Sequence, residues 1–254
     1  MLMPVLGLAV AIAAGACNSP APGPAKSTGG KPVDAATAGS LAGKVTFSGK
    51  PPANEPLRVG TDPACQTAAG PNPVSDAVLV AADGAVKNVF VYVKDGLDSA
   101  YTFDVPTTPV LLDQKGCRYS PRVVGARVGQ PLEIVNSDAT MHNVHAMPKL
   151  NDEFNSSQPM QGIRTTKTFT KPEVMVLFRC NVHNWMSAYV GVLPHPYFAV
   201  TNEGGAFEIK NLPPGTYTIE AWHETFGTLT ANVTIGDKQA QNVTFTFAPK
   251  TESH

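Results

Sequence analysis

"RCNVHNWM" occupies residues 179–186. It places a thiol, an imidazole and a thioether at Cys180, His183 and Met186. The whole chain holds only 4 cysteines and 6 histidines, so abundance does not explain the spacing. The residues leading into it, "EVMVLFRC", alternate in character. Val174, Val176, Phe178 and Cys180 fall on one face, and Met175, Leu177 and Arg179 on the other. Cys180 is therefore expected at the end of a strand, pointing the way the core points. "SAYVGVL", after Met186, reads as the next strand. Residues 181–186 are then the loop between two neighbouring strands, and a loop can fold three such groups back onto one point.

Thiolate, imidazole and weak thioether belong to the donor set of a trigonal copper site, which takes two His and one Cys in a plane with a long axial Met. Zinc accepts Cys and His but gains little from Met, and a structural zinc site usually shows a second Cys or His pair. One imidazole is missing from the loop. "NSDATMHNVHAM", following the strand "PLEIVN", supplies it.

"GQPLEIVNSDATMHNVHA" followed by "FRCNVHNWM" resembles the cupredoxins of the amicyanin/plastocyanin type, over roughly residues 104–195. The resemblance implies a Greek-key β-sandwich holding one type 1 (blue) copper. Carried over by motif, the ligands are His142, Cys180, His183 and Met186. His145 matches a position that is not a ligand in that family. Asn143 matches a residue that braces the ligand loop by hydrogen bonding. The family also implies that His183 reaches the surface through an apolar patch, to which Trp185, Met186 and Pro194 are candidate contributors. Trp185, inside the ligand loop, departs from the pattern.

The C-terminal stretch "GAFEIKNLPPGTYTIEAWH" resembles the carboxypeptidase regulatory-like, prealbumin-type sandwich. "AGKVTFSGKPP" and "NVFVYV" match the beginning of the same pattern, yet they precede the copper unit. In the second of these, Val89, Val91 and Val93 alternate with Phe90 and Tyr92. The preferred reading is one sandwich split by an inserted cupredoxin; two separate β modules flanking it are the other. Strands are expected at about 206–210, 216–222, 228–235 and 241–247, with turns at "NEGG", "LPPG" and "GDKQ". The fold class is all-β throughout, because short apolar alternations between Gly/Pro turn clusters dominate and no long segment carries a helical period.

The 254 residues divide on this reading into a signal peptide (1–16), a flexible tether (17–40), N-terminal strands of a sandwich (41–103), a cupredoxin domain (104–196) and the C-terminal part of the sandwich (197–249). "MLMPVLGLAVAIAAGA" is apolar and ends in small residues, as a secretory signal does. "AAGAC" resembles a bacterial lipobox, which would make Cys17 a lipidated first residue and a membrane anchor. Ala14 stands where that motif usually has Leu, and an ordinary signal cut elsewhere is the alternative. Export permits a disulfide. With Cys17 set aside and Cys180 engaged, Cys65 and Cys117 are left to pair, or to stay free as small buried groups.

Net charge is −1 with pI about 6.6, so nothing points to nucleic acid as a partner. The leading expectation is an exported, monomeric copper electron carrier of the periplasm or cell envelope, cycling Cu(I)/Cu(II) between redox partner proteins. A copper carrier or buffer without electron transfer is the alternative, and a structural surface protein with a relic site is a third class. An enzyme is not expected, because copper reductases and oxidases draw further centres from His-x-His pairs and the chain has none. His195 and His223 are expected to be structural or surface residues, and His254 to lie in a free terminus.

Overall fold

The computed structural model describes residues 30–249. The signal, Cys17 and His254 lie outside them. Among the described residues, sixteen strands and one short helix follow in order: β1 (Gly39–Phe47), α1 (Pro63–Ala69), β2 (Phe90–Asp95), β3 (Val110–Gln114), β4 (Tyr119–Ser120), β5 (Val123–Arg127), β6 (Pro131–Asn136), β7 (His142–Met147), β8 (Phe154–Gln158), β9 (Arg164–Thr168), β10 (Glu173–Arg179), β11 (Ser187–Leu193), β12 (Phe198–Val200), β13 (Ala206–Leu212), β14 (Gly215–His223), β15 (Gly227–Ile235) and β16 (Ala240–Phe247).

Four sheets pack as two sandwiches. The first joins β5-β11-β10-β7-β8 with β4-β3-β6-β9 around a core that includes Leu112, Ile134, Val144, Phe178 and Val190. The second joins β13-β1-β16 with β12-β2-β14-β15 around Leu41, Val45, Val91, Ile219 and Phe245. Both sheets of the second sandwich mix strands from before and after the first. β1 lies between β13 and β16, and β2 between β12 and β14.

β2 decides how the two sandwiches meet. Its period of two sends Val89, Val91 and Val93 into the second core. Phe90 and Tyr92 point the other way, into a separate cluster with Val123 and Leu193 of the first sandwich. Contact there is close because β11 carries Gly191, where a Cβ would stand 2.5 Å from the Phe90 ring. A buried guanidinium ties the same junction: Arg122 donates to Glu224 at 2.8 Å and to Asp76 at 2.5 Å.

Three expectations are corrected. Residues 30–40 are not a free tether: the Lys31 backbone N–H donates to the Ala100 carbonyl at 2.8 Å, the Lys238 backbone N–H to the Thr37 carbonyl at 2.9 Å, and β1 begins at Gly39. Residues 41–103 are not all sandwich strands, since α1 sends Cys65 into the core of the first sandwich. Val174 does not share the face of Val176. The β10–β11 register shifts between Glu173 and Val176, Met175 takes φ 65°, and Val174 is left 37% exposed. The extra residue of a bulge breaks the alternation at that point.

His195 and His223 are buried structural rings. His223 Nδ1 accepts from Thr225 N at 3.2 Å and Phe226 N at 3.3 Å, and the ring stacks on Phe226. Burial pushes its pKa down to about 4.

Two outcomes follow from this architecture. Residues 197–249 alone lack β1 and β2, the neighbours that join their strands, so that fragment is expected to show no cooperative thermal melt; a sharp transition from it would contradict the shared sheets. The pKa of His223 lies below the ordinary value near 6.5, so between about pH 6.5 and 4 the unfolded chain binds the extra proton and stability falls with acidification. The contribution is on the order of 2–3 kcal/mol, and His223→Gln is expected to flatten the pH dependence of the melting temperature across that window. Parallel profiles for the variant and the parent would count against it.

Candidate metal centre

Strand parity explains which histidine of "HNVH" enters the site. His142 and His145 are three residues apart on β7, so they face opposite sides. His142 shares the inward face of Val144 and Ala146 and is fully buried. His145 points outward, with Nδ1 3.2 Å from Asn181 Oδ1 and Nε2 2.5 Å from Glu153. β7 pairs antiparallel with β10, Arg179 opposite His145. Cys180, one residue past the end of β10, thereby comes beside His142.

The 181–186 loop is closed by its own backbone. Met186 N donates to the His183 carbonyl at 2.9 Å and Cys180 N to the Met186 carbonyl at 3.3 Å. This turns the His183 ring back over Cys180 and seats Met186, 1% exposed, in the core below. Asn143 braces the loop from β7: its side-chain oxygen accepts from Asn181 N–H and its amide donates to Asn155. The Tyr119 hydroxyl lies 3.1 Å from the Asn143 carbonyl and 3.2 Å from that of Arg179.

Three donor atoms converge. Cys180 Sγ is 3.9 Å from His142 Nδ1 and 3.8 Å from His183 Nδ1, and the two Nδ1 atoms are 2.9 Å apart. Donors about 2.0–2.3 Å from a shared metal at trigonal angles would stand about 3.5–3.7 Å apart. The sulfur–nitrogen separations are close to that, and the nitrogen pair is tighter. Backbone N–H groups of Asn143 and His183 each approach Cys180 Sγ at 3.4 Å.

The far side of each ring is held by a carboxylate. His142 Nε2 is 2.9 Å from Asp138, and His183 Nε2 is 3.4 Å from Asp62. A carboxylate only accepts, so His142 keeps its proton on Nε2 and turns a lone pair inward; the nearby Asp62 favours the same tautomer in His183, whose Nε2 also meets Cys65 Sγ at 3.5 Å. Two imidazole nitrogens and a sulfur meeting at one buried point need a proton or a metal cation among them. The titration tendencies express the same demand. Burial lowers the His142 pKa, yet Cys180 and Asp138 outweigh it and hold it above the ordinary value. Burial raises that of Cys180, yet His142 and the backbone N–H groups bring it down. His183 is held low by burial and by the neighbouring His142. The residues present therefore fit a metal cation.

Cys65 and Cys117 form a disulfide, with Cα atoms 5.4 Å apart, and it lies against the site: Cys65 Sγ is 3.5 Å from His183 Nε2. This corrects the expected exit. His183 is only 3% exposed because α1, Asp62 and the disulfide cover its outer edge, and Met186 is buried rather than part of a surface patch. Trp185 lies tilted against His183, with ring centroids 5.1 Å apart, and donates Nε1–H to the Cys117 carbonyl at 3.0 Å. Asp62, Asp138 and Tyr119 were not singled out from the sequence. For α1 a signal existed: "DPACQTAAG" has Asp at the N-cap, Pro at the first helical position and Gly just past the end.

Residues 188–248 match the family model described as carboxypeptidase regulatory-like domain. The match opens inside β11, a strand of the first sandwich, and runs into β16. No curated protein matches the chain. Among the solved structures similar to parts of it are three copper proteins. A purple cupredoxin from Nitrosopumilus maritimus is 21% identical over 33% of this chain and 98% of its own, at TM-score 0.29. An oxidised amicyanin variant is 18% identical over 40% of this chain and 97% of its own, at TM-score 0.31. A copper-containing nitrite reductase from Thermus scotoductus SA-01 is 22% identical over 39% of this chain, at TM-score 0.30, and only 25% of that reductase is spanned. The reductase overturns one expectation. An enzyme is not expected from a chain without a His-x-His pair, but a copper-containing nitrite reductase is among the similar structures, and that expectation does not stand. The described residues are nearly all β, and residues 188–248 match the carboxypeptidase regulatory-like model.

Asn143→Ala removes the acceptor of Asn181 N–H in a part-buried loop. The expected loss is about 1–3 kcal/mol of unfolding free energy, read from the denaturant midpoint. An unchanged midpoint would show that the loop stands without this brace.

Proposed function

We propose that this chain is an exported electron-transfer protein holding one type 1 copper, with His142, Cys180 and His183 as planar donors and Met186 as the weak axial donor. The observation that carries this reading is the buried meeting of two inward Nδ1 lone pairs and the Cys180 sulfur. When bound, copper supplies a one-electron Cu(I)/Cu(II) couple. The chain's own work is to hold the donors rigidly and keep water away. Strands β7 and β10 fix His142 and Cys180, the loop closure fixes His183, and the core seats Met186. Rigid placement by two different elements suits a couple whose two oxidation states must share one geometry.

The Cys65–Cys117 bridge supports an oxidising compartment, in keeping with export and with a lipid anchor on Cys17 at an envelope membrane. Redox partner proteins would approach where Trp185, packed against the covered His183 and half-buried itself, comes toward solvent.

The test is the visible spectrum of copper-loaded protein. Intense thiolate-to-copper absorption is expected, and Cys180→Ser should abolish it. Met186→Leu should keep the colour and raise the potential, because a donor to Cu(II) is lost while packing is nearly conserved. His145→Ala should keep the spectrum, since that ring faces away. Colour surviving Cys180→Ser would sink the copper reading. Bleaching by His145→Ala but not by His142→Ala would overturn the ligand assignment.

A further inference from the structure

We propose that Asp62 and Asp138 are positioning residues that couple the metal centre to the Cys65–Cys117 disulfide; this rests on the copper reading above.

The geometry is a matched pair. Asp138 accepts from Gly116 N at 2.7 Å and Cys117 N at 2.8 Å while its Oδ2 lies 2.9 Å from His142 Nε2. Asp62 accepts from Ala64 N at 2.9 Å and Cys65 N at 3.2 Å, as the cap of α1, while its Oδ2 lies 3.4 Å from His183 Nε2. Thr140 donates to the same Oδ2 at 2.5 Å. Each carboxylate thus joins the backbone N–H of one half-cystine to the outer nitrogen of one donor histidine.

Chemistry follows from the placement. A carboxylate on the outer N–H fixes the tautomer and ring orientation and makes the inner nitrogen a stronger donor. Negative charge close to the centre favours the more highly charged metal state. The disulfide ties the Asp62-bearing helix to the Asp138-bound turn, so its covalent state governs how firmly both carboxylates sit. Asp62 belongs to the N-terminal block, outside the sandwich that carries the donors. The N-terminal block is thereby part of the metal site's electronic environment.

The experiment uses the full chain loaded with copper, and reads reduction potential by spectroelectrochemistry. Asp62→Asn and Asp138→Asn are each expected to retain the charge-transfer band while weakening the hold on Cu(II) relative to Cu(I) about tenfold or more. A tenfold change is an upward shift of about 59 mV for one electron. Cys65→Ser with Cys117→Ser should also raise the potential, and should add nothing in a background already carrying both Asp→Asn changes. Potentials unchanged by the Asp variants would overturn the positioning role. A disulfide effect undiminished in that background would overturn the coupling. A parent protein without the band would instead be a failure of the copper reading itself.

Should a variant not fold, the unaltered protein loaded with Zn(II) decides the positioning role by nitrogen-15 NMR. His142 and His183 are expected as Nε2–H tautomers with slowly exchanging protons. Nε2 protons that exchange freely with water at both rings would overturn it.

Discussion

Two imidazole nitrogens 2.9 Å apart in a buried site need a proton or a metal cation between them. That constraint organises the first sandwich. Asp138 and Asp62 hold the protons of His142 and His183 on the outer nitrogens, so the inner nitrogens are left as donors. Cys180 completes the triangle from the end of β10, and three separate stretches of chain must keep register for the atoms to meet. The β7–β10 pairing, the loop closed by Met186 N–H and the Asn143 brace all serve this register.

The second sandwich stands behind that arrangement through a shared wall. β2 gives one face to each core, with its valines inward and Phe90 and Tyr92 against β5 and β11. Gly191 lets the Phe90 ring lie on the backbone of β11, the strand that leaves the metal loop. The chain between β1 and β2 then turns away from its own sandwich and lays α1 over His183. The segment between β1 and β2 thus delivers Asp62 and Cys65 to the candidate metal site.

Much of this was legible in local pattern. Strand alternation in "NVFVYV" anticipated the two faces of β2, and the turns after 200 placed the last four strands. The candidate donor residues stood out because Cys and His are scarce and their spacing followed an alternating strand. What failed was non-local. Nothing in the sequence near His183 tells that residues 62–65, more than a hundred positions earlier, cover its outer edge, so an exposed exit was expected where the ring is buried. The bulge at Met175, which turned Val174 outward, depends on a left-handed backbone at a residue whose side chain gives no sign of it. α1 was overlooked because seven residues give too little periodicity to read, although its cap and its closing glycine were present. Asp138 was printed four residues before His142, but proximity in a loop does not show that its oxygen reaches the far nitrogen.

The central claim is that the buried His142, Cys180 and His183 atoms hold one metal ion. X-ray absorption at the copper edge of the stoichiometrically loaded full chain tests it most directly. The account predicts one copper per chain with one short sulfur bond and two nitrogen bonds in the inner shell, the sulfur lost in Cys180→Ser. An inner shell of nitrogen and oxygen alone in the unaltered protein, or copper held equally well by the Cys180→Ser chain with the same shell, would contradict it.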